Sequence, residues 1–287
     1  MKFVTVLSLG RVSNLPTIGS NVLAGVALAG VDHLSFNIMI IVLAMVLIYM
    51  SGMFFNDIFD VKYDAEFNPS RPIVSNRVSL TEAIFWACFM MLVAMGLIIF
   101  QALNMAESNH LIVYAGLILC VCVLLYDVWH KNNPFSALIM GMCRALVYVT
   151  AAFSIAPVIS MALIVYSTCL LSWVLGLTMI AKKQQVVIGY VVLIGVVNGV
   201  LLFGLSDVLG GMVSIVVSVM AAAVLYWFVF GVKGNKYCNT VTLLIASISL
   251  LDAMIIVAST GGMNLMAMMA MGLFFLTLFL QRLIVGS

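Results

Sequence analysis

Apolar segments long enough to cross a lipid bilayer recur along the whole of this chain. A helix needs about 20 apolar residues to cross a hydrocarbon core of about 30 Å. Of the 287 residues, 65% are hydrophobic and only 8% are charged, and the mean hydropathy of +1.27 lies outside the range of soluble domains. The sequence therefore predicts an all-α, multispan transmembrane helical bundle of about nine to ten helices, formed by residues 1–287 as one domain. The predicted spans are 13–31, 36–57, 80–101, 110–127, 135–156, 159–181, 185–205, 209–231, 238–258 and 263–283.

The basic residues support this division into spans. Lys and Arg cluster in alternate connections and at both ends of the chain, whereas the connections around Asp32, Glu107, Pro157, Asp207 and Gly261 hold none. Because cytoplasmic connections carry the excess of basic residues, we expect both termini and the loop after the second span to be cytoplasmic, in an inner or cytoplasmic membrane. The net charge of +2 is too small to indicate a nucleic-acid partner.

A dense group of carboxylates closes the second span. Asp57, Asp60 and Asp64 are spaced three and then four residues apart, which on a single helix would place them on one face. Carboxylates this close together repel one another and are costly to bury unless cations lie among them. Mg²⁺ prefers oxygen ligands and binds through one or two carboxylates together with phosphate oxygens. A metal site that holds an anionic ligand is therefore the first hypothesis, and a solvated acidic loop paired with Arg71 or Lys62 is the alternative.

Three segments of the chain resemble a known family. The pattern Asn56-Asp57-x-x-Asp60-x-x-x-Asp64, followed by Arg71-Pro72, resembles the first signature of the UbiA superfamily of intramembrane prenyltransferases. The opening Arg11-Val12-Ser13-Asn14-Leu15-Pro16-Thr17, with Asn21 in the first span, and the segment Tyr126-Asp127-Val128-Trp129-His130-Lys131 after the fourth span match further motifs in the same order. The resemblance extends across most of the chain.

The resemblance implies a helical bundle around a lipid-open cavity, in which Mg²⁺ assists the ionisation of an isoprenoid diphosphate. The prenyl group then passes to a hydrophobic acceptor, often an aromatic ring. By the same comparison Asp57, Asp60 and Asp64 are expected to be metal ligands. Arg71 and Lys131 are expected to contact the diphosphate, and Asn56 is expected to orient it.

The chain departs from the family pattern in two ways. The family has a second acidic motif after the sixth span, but here that segment, 178–185, contains no carboxylate and includes Lys182 and Lys183. These lysines could replace the second metal, or they could only anchor the span at the membrane surface. A further alternative is that the protein has lost the ability to ionise the diphosphate and retains only lipid binding. Ten predicted spans, against the nine usual in the family, are the second departure.

Charged and polar residues inside the spans supply further substrate-binding candidates. Arg144 lies in the fifth span, where a guanidinium costs about 2.5–3.5 kcal/mol to insert and needs a carboxylate, carbonyls, water or a bound anion. Asp252, in the ninth span, could pair with it, bind an acceptor hydroxyl or remain protonated. The full set of substrate-binding candidates is Asn14, Asn21, Asn56, Tyr126, Asp127, Arg144, Lys182 and Lys183.

The sequence thus favours an intramembrane prenyltransferase that uses Mg²⁺ and a polyprenyl diphosphate, with an aromatic or lipid acceptor. A terpene cyclase would use the same ionisation and quench the cation within the prenyl chain. A carrier of isoprenoid or anionic lipids is a third interpretation, which the missing second acidic motif supports.

Overall fold

The computed structural model describes residues 3–105, 109–131, 133, 135–182, 186–209, 211–230 and 236–283. α-Helices account for nearly all of the regular structure of these residues, together with a 3₁₀ turn at Val12–Asn14 and a π-helical turn at Val200–Gly204. The helices are α1 (Phe3–Leu9), α2 (Leu15–Leu28), α3 (Phe36–Phe59), α4 (Val61–Phe67), α5 (Leu80–Leu103), α6 (His110–Trp129), α7 (Ser136–Phe153), α8 (Met161–Ala181), α9 (Val186–Gly199), α10 (Ser206–Leu209), α11 (Gly211–Phe230), α12 (Lys236–Ala246), α13 (Ile248–Thr260) and α14 (Leu265–Leu283).

The helices confirm the predicted all-α, multispan bundle. Seven of the predicted spans correspond to helices that are long and apolar enough to cross a membrane: Phe36–Phe59, Leu80–Leu103, His110–Trp129, Ser136–Phe153, Met161–Ala181, Thr240–Thr260 and Leu265–Leu283. The other three correspond to shorter apolar helices, at Val12–Leu28, Val186–Leu202 and Val213–Tyr226.

Helix α2 lies at the centre of the bundle. It packs against α3, α7, α13 and α14, and Val22, Ala24 and Val26 are completely buried. Gly25 allows a close approach to α7, because a Cβ atom there would lie 2.6 Å from the carbonyl oxygen of Tyr148. Small residues let membrane helices approach in this way, and the contact brings the polar residues of α2 next to those of α7.

A small apolar cluster anchors the loop between α4 and α5. Ile73 and Val78 of this loop are buried together with Leu9 of α1 and Phe54 of α3. The loop ends at Ser79, whose side chain accepts a hydrogen bond from the backbone N–H of Glu82 at 3.1 Å and so caps α5. This anchoring holds the loop, with Arg71, over the end of α3.

The acidic segment does not form the single helix that its spacing suggests. Helix α3 ends at Phe59 and α4 begins at Val61, and Asp60 lies at the junction with φ −88° and ψ 0°. Asp57 therefore belongs to α3 and Asp64 to α4. Asp60, at the junction of the two helices, has different neighbours from the other two aspartates.

Candidate active site

A chamber of about 200 Å³ lies within the bundle. Side chains from α2, α3, α6, α7 and α8 line it, and Ile245 of α12 and Ile248 of α13 complete it. Most of its wall is aliphatic or methionine. Among the described residues, its charged side chains are Arg11, Asp127 and Arg144.

A chain of polar contacts lies at one end of the chamber. It contains Asn56 and Asp57, the first two residues of the acidic motif. Arg71 Nη1 donates to Asp57 Oδ1 at 3.3 Å, and Arg11 Nη2 lies 3.9 Å from the same oxygen. Arg11 Nη2 also donates to Asn56 Oδ1 at 3.2 Å, and Asn56 Nδ2 donates to Asp127 Oδ1 at 3.3 Å. We call Arg11, Asn56, Asp57, Arg71 and Asp127 the polar lip.

Arg11 is a lip residue to which the sequence interpretation gave no role. Its backbone adopts a left-handed conformation, with φ 41°, which is uncommon for residues other than glycine and often marks a functional position. The turn before α2 directs its guanidinium at both Asn56 and Asp57. The sequence signal for a role of Arg11 was its position shortly before Asn14, in the motif that opens the first span.

Arg71 also reaches the third aspartate of the motif. Its Nε lies 4.0 Å from Asp64 Oδ2, and Asn68 Nδ2 donates to Asp64 Oδ1 at 3.0 Å. Asp57 and Asp64 are both buried. One guanidinium therefore lies between two buried carboxylates, in the place where the sequence predicts a metal ion.

Asp60 instead contacts the end of α6. Lys131 Nζ lies 2.6 Å from Asp60 Oδ1, His130 Nε2 lies 3.3 Å from Asp60 Oδ2, and the ammonium of Lys131 lies 3.8 Å from the centre of the Tyr63 ring. Burial alone would raise the pKa of Asp60, but its hydrogen bonds with His130 and Lys131 bring the pKa below its ordinary value. The hydrogen bond with Asp60 raises the pKa of His130 despite the opposing effect of burial.

The lip has two carboxylate oxygens that could accept a metal ion. Asp57 Oδ2 and Asp127 Oδ2 are buried and lack a hydrogen-bond partner, an arrangement that is costly unless a ligand completes it. Within the described residues, no three His, Cys, Asp or Glu side chains form a group that could hold a metal by themselves. Because Mg²⁺ needs only one or two carboxylates when phosphate oxygens supply other ligands, these residues fit a magnesium ion that arrives with a diphosphate.

The remaining predicted substrate-binding residues lie in different places. Asn14 and Tyr126 line the chamber, and the ring of Tyr126 stacks on that of His130 with centroids 5.2 Å apart. Lys182 donates to Ser136 Oγ at 2.5 Å, and burial lowers its pKa. Lys183 lies outside the described residues.

Arg144 and Asp252 are connected through Asn21. Arg144 Nη1 donates to Asn21 Oδ1 at 2.8 Å and to Thr17 Oγ1 at 3.1 Å. Asn21 Nδ2 in turn donates to Asp252 Oδ2 at 2.8 Å. Asn21 is completely buried, and its side chain forms hydrogen bonds to two other helices, α7 and α13.

Two further residues complete the surroundings of Asp252. Ser20 Oγ donates to Asp252 Oδ2 at 2.5 Å, and the Tyr148 hydroxyl donates to Asp252 Oδ1. Asp252 and Tyr148 are completely buried. Ser20 had a signal in the sequence, because it is a polar neighbour of Asn21 in an apolar span.

The model of the UbiA prenyltransferase family matches residues 19–186, which is more than half of the chain. The chain belongs to the UbiA prenyltransferase family. The matched segment contains the acidic motif, the Tyr126-to-Lys131 motif and Arg144.

Solved structures show the same fold for this UbiA-family protein. It resembles a structure of digeranylgeranylglyceryl phosphate synthase with a TM-score of 0.57, at 17% identity over 90% of this chain and 97% of that chain. It also resembles a UbiA homologue from Archaeoglobus fulgidus, with a TM-score of 0.57 at 13% identity over 90% of this chain and 98% of that chain. The structure of an Archaeoglobus fulgidus homologue bound to GPP and Mg²⁺ matches with a TM-score of 0.54, at 11% identity over 94% and 99% of the two chains. None of the curated proteins matches the sequence.

Proposed function

We propose that this UbiA-family protein transfers a prenyl group from a polyprenyl diphosphate to a hydrophobic acceptor with the help of Mg²⁺. The observation that carries the proposal is the polar lip, where unsatisfied carboxylate oxygens and arginines meet at the end of an apolar chamber. A prenyl diphosphate has the complementary form, with an anionic head and a long apolar tail. The Archaeoglobus fulgidus homologue bound to GPP and Mg²⁺ supports this choice of ligand.

The lip suggests how a magnesium diphosphate would enter. Arg71 now pairs with both Asp57 and Asp64, and Lys131 pairs with Asp60. If Asp57, Asp60 and Asp64 hold the metal, with Asp127 beside them, Arg71 and Lys131 can bind phosphate oxygens in place of these carboxylates. Each charge then keeps an opposite charge nearby, which limits the cost of rearrangement in a poorly solvated site. Bound Mg²⁺ would stabilise the negative charge that develops on the leaving diphosphate.

The chamber wall suits the prenyl cation that forms when the diphosphate leaves. Its aliphatic side chains exclude water, which would otherwise capture an allylic cation. Tyr49 and Tyr126 are the aromatic residues of the described lining, and an aromatic ring face attracts a cation. We propose that the prenyl group and the acceptor meet between these rings and the lip, with the lip at the cytoplasmic surface of the membrane.

A carrier of isoprenoid diphosphates is the second candidate. It is favoured by the pairing of Asp57, Asp60 and Asp64 with the chain's own cations, together with the absence of carboxylates from segment 178–185. A carrier would bind the diphosphate at the same lip and release it intact. The fate of the diphosphate therefore separates the two functions.

The decisive experiment measures pyrophosphate release by the purified protein in lipid nanodiscs. Geranyl, farnesyl and geranylgeranyl diphosphates are supplied with Mg²⁺, with and without a membrane lipid extract as a source of acceptor. We expect Mg²⁺-dependent release that requires the extract, and at least about a 100-fold loss in Asp57→Asn, because stabilisation of the leaving group is the main catalytic contribution. Asp32→Asn is the matched control, since the Asp32 side chain is 73% exposed.

Two results would contradict the proposal. Binding of the diphosphates without pyrophosphate release under any of these conditions would favour the carrier. Release without an acceptor, accompanied by a cyclic hydrocarbon in the product analysis, would identify a terpene cyclase.

A further inference from the structure

The carboxylates at the lip end of the bundle come from one stretch of the chain. They are Asp57, Asp60, Asp64, Glu66, Glu82 and Asp127, and they lie on α3 to α6 or at the junction of α3 and α4. The segments that follow α8 and α11 at the same end contain lysines and no carboxylate. One side of the chamber mouth therefore suits a metal cation, and the other side suits an anion.

On the second side, three polar side chains meet where α7 begins and α8 ends. Lys182 Nζ donates to Ser136 Oγ at 2.5 Å, and Ser136 Oγ donates to the backbone carbonyl of Asn133 at 2.8 Å. The side-chain oxygen of Asn133 accepts a hydrogen bond from the backbone N–H of Phe135 at 2.9 Å. The side-chain nitrogen of Asn133 is buried and has no partner.

These donors match an anionic ligand. Asn133 is only 7% exposed, and a buried N–H without an acceptor is costly unless a ligand supplies one. The ammonium of Lys182 bonds to a neutral hydroxyl, and its side chain is exposed. The first turn of α7, an 18-residue helix, adds the positive end of a helix dipole. A phosphate group has enough oxygens to accept from all of these donors.

The same donors are continuous with the polar lip. Asn133 follows Lys131 by two residues, which span at most about 7 Å, and Lys131 Nζ lies 2.6 Å from Asp60 Oδ1. Thr178, one turn before Lys182 on α8, lines the chamber. A diphosphate at the mouth can therefore reach the aspartates with one phosphate and the start of α7 with the other.

We propose that Asn133 and Lys182 form a phosphate-binding site that holds one phosphate of the prenyl diphosphate directly, so that the protein uses a single Mg²⁺. The assignment rests on the proposed function, because it needs a magnesium diphosphate at the lip. Segment 178–185 supplies no carboxylate for a second metal ion. Lysine and amide donors instead neutralise the charge that one Mg²⁺ leaves on the diphosphate.

The test counts metal ions and measures affinity without turnover. Geranyl S-thiolodiphosphate, an analogue that resists ionisation, is titrated with Mn²⁺ into the protein in phosphatidylcholine nanodiscs, and electron paramagnetic resonance counts the bound Mn²⁺. We expect about one Mn²⁺ per wild-type protein, and at least about tenfold weaker binding of the analogue in Lys182→Gln. Arg282→Gln is the matched control, because Arg282 is exposed at the end of α14 and its loss should leave the affinity unchanged.

Asn133→Ser separates ligand binding from folding. A serine hydroxyl can accept the same hydrogen bond from the backbone N–H of Phe135, so the thermal unfolding temperature should stay close to that of the wild type. The variant lacks the amide donor, and its affinity for the analogue should fall at least about threefold. A purely structural role of Asn133 would leave this affinity unchanged.

Four outcomes separate the inference from its alternatives. Binding of two Mn²⁺ by the wild-type protein would overturn the single-metal site and leave the proposed prenyl transfer intact. Unchanged affinity for the analogue in folded Lys182→Gln would also overturn it, and a loss of co-purified phosphatidylglycerol in that variant would assign the site to a lipid headgroup. Failure of the wild type to bind the analogue would overturn both proposals. Absence of pyrophosphate release, with the metal count and affinities as expected, would count against the prenyltransferase alone.

Discussion

Arg71 Nη1 lies 3.3 Å from Asp57 Oδ1, while the other oxygen of the same carboxylate is buried without a partner. The guanidinium therefore neutralises Asp57 and leaves one of its lone-pair positions for a ligand. Because Arg71 also lies 4.0 Å from Asp64, its loss would leave two buried carboxylates close together.

Arg71→Gln should raise the KM for the prenyl diphosphate about 10- to 100-fold, since charge-assisted bonds to phosphate are among the strongest in proteins. Arg71→Lys should recover only part of this loss, because a lysine cannot contact two groups with the planar fork of arginine. Steady-state kinetics at saturating Mg²⁺ provide the measurement. Arg77→Gln is the control, since Arg77 is exposed and bonds to Ser75 and Ser70. An Arg71→Gln enzyme with unchanged KM would exclude Arg71 from the diphosphate site.

The pair formed by His130 and Asp60 should make stability depend on pH. Because the pKa of His130 is raised above its ordinary value of 6.5 in the folded protein, its contribution is complete below pH 6.5 and is lost as the pH rises through the raised value. The pKa of Asp60 is lowered below 3.8, so its contribution is lost only in stronger acid. The thermal unfolding temperature should therefore fall as the pH rises above 6.5.

Replacement of the imidazole tests this assignment. His130→Gln should flatten the decline in unfolding temperature above pH 6.5, whereas His33→Gln should retain it, because His33 is 76% exposed. If the two variants have the same pH profile, the dependence comes from groups other than His130 and Asp60.

Gly25→Ala should separate α2 from α7. A Cβ atom at residue 25 would lie 2.6 Å from the carbonyl oxygen of Tyr148 and 2.8 Å from Ala151 Cβ, distances that require the two backbones to move apart. Overpacking of this kind costs about 1–3 kcal/mol, which should appear as a lower free energy of unfolding in a detergent titration. In Gly96→Ala, where the added Cβ has no neighbour within 4 Å, stability should be unchanged or slightly higher. Equal stabilities for the two variants would disprove the close approach.

Tyr148→Phe removes one hydrogen bond from Asp252 and adds no atoms. We expect the free energy of unfolding to fall by about 1 kcal/mol, the usual net value of a buried hydrogen bond. The same detergent titration measures it, with Tyr114→Phe as the control because Tyr114 is 59% exposed. A loss no larger than that of the control would mean that Asp252 does not depend on the tyrosine hydroxyl.

Hydropathy predicted the helices well, because bilayer thickness alone sets the length of an apolar helix. The cap at Ser79 was also predictable, since it depends on residues only three apart in sequence. The partners of Asp60 could not be predicted in this way, because His130 and Lys131 reach it from the end of α6, which is distant in sequence. Spacing also failed at the junction of α3 and α4, since periodicity assumes a continuous helix and cannot reveal a break at Asp60.

The interior network was the least accessible to sequence reasoning. Arg144 and Asp252 stood out as charges within spans, but the residue that joins them is Asn21, which is 231 residues from Asp252 in the sequence. Such contacts depend on how α2, α7 and α13 pack, which local patterns do not encode. The acidic motif, by contrast, carried its signal within nine consecutive residues.

The long separation between Asn21 and Asp252 also bears on how the protein is made. During synthesis α2 and α7 are complete well before α13, so Arg144 must enter the membrane while Thr17 and Asn21 are its available partners and Asp252 has yet to leave the ribosome. The partly formed bundle therefore carries a buried cation whose supporting acid arrives late. When the ninth span arrives, Asp252 supplies the carboxylate to which the amide of Asn21 donates, so the support of Arg144 is completed only near the end of synthesis.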